Sequence, residues 1–334
     1  MTATQQKPVY SVYVVSGTTK YNITNAVISQ DRSEPKGQIA QRVTLQLANV
    51  KVGDSWLSGL LKARNRVFVY ANDGTQEKEV FRGYLWTRSR NDSLSEREIR
   101  YVCYDNLIYF QESEDSLYFS SGKSTKDIMS TICSKWGIKL QYIYDSITHT
   151  KLPLRGHLAD IFTSDILDLV KKRTGKKYVI LSDQDTMIVR PVGSNTTIYH
   201  FVAGKNVTRT ASGWTMDGVI TQVIVLGKAD DDDREPIEAT VSGKTSEYGT
   251  LQQIQRRSES TTLADAKVEA KNTVDENGEP KWEYEITAPD IPWIRKGDKI
   301  YVNAGEIAGY RIITEVDRTI DQKRREMTLT LEDV

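Results

Sequence analysis

Glu98-Ile-Arg-Tyr-Val-Cys-Tyr-Asp105 and Glu326-Met-Thr-Leu-Thr-Leu-Glu-Asp333 carry one pattern at two distant places in the chain. Ile99, Tyr101 and Cys103 alternate with polar residues as Met327, Leu329 and Leu331 do, which is the period of a strand with one buried face. The likeness extends upstream in the same order. Arg66-Val-Phe-Val-Tyr70 resembles Lys299-Ile-Tyr-Val-Asn303, and Gly83-Tyr84 resembles Gly309-Tyr310. The spacing drifts only between these blocks, where hairpin loops change length cheaply. A chance likeness of two β-meanders is the rival reading. The sharper one is a barrel-like domain used twice.

Between the two copies the periodicity changes. Ser124-Thr-Lys-Asp127 has the form of a helix cap, followed by Ile128, Met129, Ile132 and Cys133 at helical spacing and a stop at Gly137. A second unit repeats the pattern, with Thr163 or Ser164 as cap, Ile166, Leu167 and Val170 apolar, and Gly175 as stop. Short strands follow each unit, Ile138 to Tyr144 and Tyr178 to Leu181. The expected fold is mainly β with an α+β insertion: two tube-like β-barrel domains flanking a small α+β module. The boundaries are 1–112, 113–198 and 199–334, with a mobile acidic loop over 229–245 and a short helix over 263–274 in the last.

Composition narrows the function. The 334 residues suit about two domains. Lys plus Arg equals Asp plus Glu at 45 each, which argues against a dedicated nucleic-acid binder. No apolar run is long enough to span a membrane, and Met1 to Pro8 lacks the apolar core of a signal peptide. Two cysteines, Cys103 and Cys133, without a C-x-x-C, fit a reducing compartment.

Ser121-Gly-Lys-Ser-Thr125 resembles the end of a phosphate loop, but Leu117 stands where that motif needs glycine. Ser120 to Lys123 fits S-x-x-K without its partner motifs. His149, His157 and His200 fall in no metal spacing and read as turn or surface residues. Asp230 to Asp233 lack the Gly and Glu of a calcium loop, and Asp183-Gln-Asp185 reads as a hairpin turn. The basic run Lys171 to Lys177 suits a helix C-terminus. No catalytic, metal or cofactor site is expected.

Four stretches together resemble the XkdQ-type tail hub proteins of contractile phage tails and phage-tail-like bacteriocins. They are Ser124 to Ile138; Tyr248-Gly249-Thr250-Leu251-Gln252; Lys296-Gly297-Asp298-Lys299 to Val302; and Gly309-Tyr310 to Leu331. The resemblance implies a non-enzymatic homotrimer at the centre of the baseplate, assembled in the bacterial cytoplasm. Each chain would supply two barrels, so three chains offer six to a sixfold tail tube, while the threefold face receives the central spike. The implied partners are self, tail tube protein, spike protein and other baseplate proteins, with no membrane and no sequence-specific nucleic acid. Ending just after a strand, the chain looks like the stand-alone kind of hub. Tyr248, Gly249, Leu251, Gln252, Gly297, Asp298, Gly309 and Tyr310 are the candidate motif or interface residues. The alternatives are a peptidoglycan-binding module and a tail-associated cell-wall hydrolase.

Overall fold

The computed structural model describes residues 7–92, 97–143, 147–229, 233–257 and 261–334. Among these the chain divides into two units, one formed by Met1–Ala211 with Glu285–Val334, the other by Ser212–Tyr284. The fold is mainly β, built around one large antiparallel sheet.

Six longer strands carry the opening part of the first unit: β1 (Val9–Ser16), β2 (Val27–Glu34), β3 (Arg42–Ala48), β4 (Arg66–Asn72), β5 (Glu77–Asp92) and β6 (Arg97–Tyr104), with short strands over Thr19–Asn22, Lys51–Val52 and Ser55–Trp56 beside them. They lie in the order β2-β3-β6-β5-β4-β1. Val12 and Val14 of β1 share one core with Val43, Leu45 and Leu47 of β3, as do Val67, Val69, Ile99 and Tyr101. In a flat sheet β1 and β3 would be about 19 Å apart, four strand spacings. A shared core therefore requires the sheet to curl around its apolar face. Each of the fully buried aliphatic side chains adds roughly 1.5–3 kcal/mol. Asp73 sets the β4–β5 turn by accepting the backbone N–H groups of Thr75 (2.9 Å) and Gln76 (3.0 Å).

The α+β module follows. It holds β7 (Glu114–Phe119), α1 (Thr125–Lys135), β8 (Lys139–Tyr142), β9 (Leu152–His157), a helical run α2 over 158–174, β10 (Tyr178–Asp183) and β11 (Thr186–Pro191). Ser124 caps α1, its Oγ accepting from Asp127 N at 3.1 Å, and Gly137 and Gly175 both take left-handed φ where helices stop. Ile128, Met129, Ile132 and Cys133 of α1 pack with Phe162, Ile166 and Leu167 of α2. The second helix begins earlier than its sequence suggests. It starts at Leu158, and Ile161–Leu167 is π-helical, so Thr163 bonds back to Ala159 O (2.8 Å) rather than capping. Gln184 and Asp185 both take positive φ in the β10–β11 hairpin, the expected turn. The strand expected over Ile138 to Tyr144 is Lys139–Tyr142, and Tyr144 lies outside the described residues.

The remaining strands are β12 (His200–Val202), β13 (Arg209–Thr215), β14 (Gln222–Leu226), β15 (Ile237–Ser242), β16 (Gln252–Arg256), β17 (Lys281–Pro289), β18 (Lys299–Ala304), β19 (Ile307–Asp321) and β20 (Arg325–Asp333). Strands β14, β15 and β16 belong wholly to the second unit, and β13 and β17 cross its boundaries at Ser212 and Tyr284; the strands other than β14, β15 and β16 repeat the first six in sequence order and in sheet order, β13-β17-β20-β19-β18-β12. The repeat holds residue by residue. Tyr84 faces Tyr104, Leu85 faces Cys103, Trp86 is bulged, and Thr87 faces Val102. Ile312 faces Glu332, Ile313 faces Leu331, Thr314 is bulged, and Glu315 faces Thr330. On the other edge Arg66 faces Tyr84 and Lys299 faces Ile312. Gly83 therefore corresponds to Arg311, and its sequence likeness to Gly309 is displaced by the hairpin. One strand departs from the symmetry: β1 runs antiparallel to β4, whereas β12 runs parallel to β18. The two halves are joined when β2 pairs with the far end of β19, from Glu34 opposite Val316 to Ser29 opposite Asp321.

The second unit has β14 at the centre of three strands, antiparallel to β15 and parallel to β16. Helix α3 (Leu263–Asn277) lays Ala266, Ala270 and Val274 over Val223 and Val225. It is three residues longer than the helix expected over 263–274. Its N-cap is Thr262, which accepts from Asp265 N at 3.1 Å. Ile237–Ser242, expected as part of an acidic loop, is strand; 230–232 of that loop lie outside the described residues.

Candidate interaction surface

Where β2 meets β19, Arg32 stands directly opposite Arg318. Both are 1% exposed. Two guanidinium groups in one dry site repel unless shared acceptors hold them. Asp290, leaving β17, supplies a carboxylate 2.9 Å from Arg318 Nε and accepts the Tyr10 hydroxyl. Backbone carbonyls take further N–H groups: Pro292 O from Arg32 (3.1 Å), and Ile291 O (3.3 Å) and Ile294 O from Arg318. Burial, followed by repulsion from Arg318, pushes Arg32 down to about 10.

The knot continues through Glu34. It accepts Arg295 Nε at 2.6 Å, Lys296 N at 3.0 Å and Gln41 Nε2 at 3.1 Å. Burial pushes Glu34 upward, but Arg295, Arg318 and Lys296 together outweigh it and hold the carboxyl below its usual range. Asp298 pairs with Arg190 of β11, and burial raises it against that pairing. The cluster thus ties both halves of the sheet and the module together.

Gly297 and Asp298, two of the sequence candidates, form the turn into β18. Asp298 Oδ2 accepts Arg295 N (2.9 Å), and Gly297 N donates to Ile313 O (2.7 Å). The first half builds the same turn from different residues. Asn65 Oδ1 accepts Lys62 N (2.7 Å), and Arg64 N donates to Leu85 O (2.8 Å). Both turns need a left-handed residue, Arg64 at φ 65° and Gly297 at φ 81°. Only the second requires glycine for space, because a Cβ there would lie 2.6 Å from Val179 Cγ1. Gly309 and Tyr310 sit in β19, where Tyr310 is 53% exposed and packs edge-on against Tyr301. Tyr248 ends a short helix, and Gly249 O accepts from Thr221 Oγ1 (2.7 Å). Leu251 N donates to that same hydroxyl (2.9 Å), and Gln252 Oε1 accepts from Gln222 (2.6 Å), which docks β16 beside β14. Gly297, Asp298, Gly309 and Tyr310 belong to the first unit and Tyr248, Gly249, Leu251 and Gln252 to the second.

A 370 Å³ cavity in the first unit is lined by Glu79, Arg82, Asp105, Asp183, Trp293 and Arg295, among others. Burial raises Asp105 to about 7. Its two oxygens nevertheless accept Gln41 N and Leu107 N, both at 2.9 Å, so the carboxylate anchors backbone. His149, expected as a turn or surface residue, is 3% exposed and lies 2.7 Å from Thr125 Oγ1. Among the described residues no group of three or more His, Cys, Asp or Glu could hold a metal ion, and no helix is long and apolar enough to cross a membrane.

One strand edge differs between the halves. On β19, one side pairs with β20; the other pairs first with β18 and then, from Val316 onward, with β2. On β5, one side pairs with β6 and the other with β4 up to Tyr84. Trp86 to Arg90 are exposed, whereas Val316, Arg318 and Ile320 are buried.

This is a fold shared with tail proteins. It matches the tail protein from Neisseria meningitidis MC58 with a TM-score of 0.71 at 14% identity, covering 97% of this chain and 96% of that one. The prophage MuSo2 43 kDa tail protein from Shewanella oneidensis gives 0.71 at 13%, covering 97% and 98%. The prophage tail protein gp18 from Listeria monocytogenes EGD-e gives 0.57 at 12%, covering 96% and 94%. Residues 63–332 match the model of the YQBQ-like family, and the chain belongs to that family. Among curated proteins none matches this sequence.

Proposed function

We propose that the chain is a structural hub of a phage-type baseplate, acting by binding rather than catalysis. The observation that carries this is the twofold use of one six-stranded sheet, in register down to the bulge at Trp86 and Thr314. A chain with two near-equivalent halves is what a joint between sixfold and threefold symmetry needs. In this reading 1–112 and 199–334 are the tube-like barrels, and 113–198 faces outward. Three chains present six halves to the tail tube protein, and the threefold face accepts the spike and other baseplate proteins. The fold shared with phage tail proteins supports the assignment. So does the arrangement of buried charges, which are spent on pairing one half with the other. Tyr310 and Leu251, the large hydrophobic sequence candidates with exposed side chains, are assigned to interfaces. Permanent assemblies of this kind bury roughly 2,000 Å² or more per interface.

The test is native mass spectrometry of the purified full chain, followed by co-sedimentation with polymerised tail tube. A three-chain species that binds tube ends is expected. Strict monomers that ignore tube ends would overturn the proposal.

A further inference from the structure

Where β2 pairs with β19 the protein supplies more buried donors than acceptors, and we infer that Arg32, Arg318 and Gln30 hold one chloride-sized anion there. Arg32 and Arg318 face each other across the two strands. Their guanidinium groups converge on one loop. Arg32 Nη2 donates to Pro292 O at 3.1 Å, and Arg318 Nη2 donates to Ile291 O at 3.3 Å and to Ile294 O. Asp290 Oδ1 takes Arg318 Nε at 2.9 Å. Arg32 Nε, Arg32 Nη1 and Arg318 Nη1 find no hydrogen-bond partner among the described residues, and neither does either atom of the Gln30 side-chain amide. Gln30 is two residues from Arg32 and so lies on the same face of β2. All three side chains are 1% exposed.

These orphan atoms specify the occupant. A buried donor without an acceptor bears the whole cost of its desolvation, and a charged donor bears the most. Four of the five orphan atoms are nitrogen donors, and Gln30 Oε1 is the single acceptor among them. A water molecule must place its own protons as well as accept, whereas an anion only accepts. Charge points the same way. The two guanidinium groups have one paired carboxylate between them, Asp290, whose other oxygen accepts the Tyr10 hydroxyl. Glu34, the next carboxylate, is held by Arg295 Nε, Lys296 N and Gln41 Nε2. Burial and the charge of Arg318 both work against the charge on Arg32. An anion touching both guanidinium groups offsets that repulsion and accepts the orphan N–H groups in charge-assisted bonds. The Tyr10 ring, 5.8 Å from Arg32 Cζ, covers the site on one side, and the burial of every ligand favours a monatomic ion over phosphate or a carboxylate. Its ligands come from both halves of the sheet, so the ion binds the folded chain and strengthens the joint between them. The inference goes beyond the hub reading and does not depend on it.

The experiment is urea unfolding of the full chain in mixtures of sodium chloride and sodium gluconate at fixed total salt, with anomalous diffraction from wild-type crystals grown in sodium bromide. Above the dissociation constant, the unfolding equilibrium constant is expected to fall about tenfold for each tenfold rise in chloride. Folded Arg32→Met loses that dependence, and a bromide peak touches Arg32 Nη1 and Arg318 Nη1. Wild-type stability that ignores the exchange of chloride for gluconate would overturn the inference. So would a folded Arg32→Met with the wild-type slope, because chloride then acts elsewhere. A map with water between the guanidinium groups and no anomalous peak would overturn it as well, and it decides the matter if Arg32→Met does not fold.

Discussion

Removing the carboxylate of Asp290 tests the buried knot most severely. Asp290 and Arg318 are both fully buried, 2.9 Å apart, and Arg32 lies in the same site. Asp290→Ala strips Arg318 of its paired carboxylate while leaving both guanidinium groups out of water. Breaking a buried pair from one side costs about 3–5 kcal/mol, far more than the net worth of the pair. For a unit of this size that corresponds to a fall in Tm of roughly 6–20 °C. Tyr10→Phe removes only a hydrogen bond to the same carboxylate and should cost roughly 1.5–3 kcal/mol. The diagnostic variant is Asp290→Ala/Arg318→Met. It removes both members of the Asp290–Arg318 pair, and with Arg318 the repulsion on Arg32, so its loss must be well below the sum of the single losses. Urea unfolding of these three variants and of Arg318→Met alone, with slopes compared, measures all of this. Single-variant losses below 1 kcal/mol, or strict additivity in the double, would refute the account of the knot.

Other expectations follow from the same geometry. Gly297→Ala should cost more than 2 kcal/mol, because it combines positive φ with a Cβ pressed on Val179, while Arg64→Gly at the equivalent turn should shift stability by under about 1 kcal/mol; thermal melts of the pair decide it. Leu329→Asp buries a charge and should cost several kcal/mol, whereas Thr328→Asp on the opposite face should be much milder; equal effects would mean the faces of β20 are misassigned. Asp105 binds its proton more tightly when folded, so its contribution to stability is largest near pH 4 and declines as pH rises through about 7. The wild-type stability minus that of Asp105→Asn should therefore fall between pH 4 and 8, as read by denaturant titrations; a difference that rises would refute it. Glu34 runs the other way: its pairing is fully present above the ordinary glutamate range and is lost as pH drops through the lowered folded value, a loss absent in Glu34→Gln.

The repeated sheet was legible because inward residues recur every second position. Ile99, Tyr101 and Cys103 are buried, as are Met327, Leu329 and Leu331. The Ser124 cap and the stops at Gly137 and Gly175 were legible because capping chemistry is local. What escaped was non-local or masked by polarity. The pairing of β2 with β19 joins residues far apart in sequence, and its centre is charged. Arg318 sits between Val316 and Ile320 at inward parity, a signal that a charge was being buried, but arginine reads as a surface residue by type. The polar strand Ile237–Ser242 alternates too weakly to stand out from a loop. The π-helical stretch breaks the 3.6-residue period, so the sequence pattern puts the start of α2 at Thr163 or Ser164 instead of Leu158. Of the candidate residues, Gly297 and Asp298 marked a real turn, yet its twin at Arg64 and Asn65 was hidden because neither residue is glycine or aspartate.

The central claim is that two register-matched sheet halves in one chain let a few copies close into a ring. Averaged electron-microscopy images of the purified, associated chain address it directly. The account predicts a threefold particle whose wall shows six near-equivalent curled sheets around a channel. A particle whose halves sit in unrelated positions, or one with no closed wall, would contradict it.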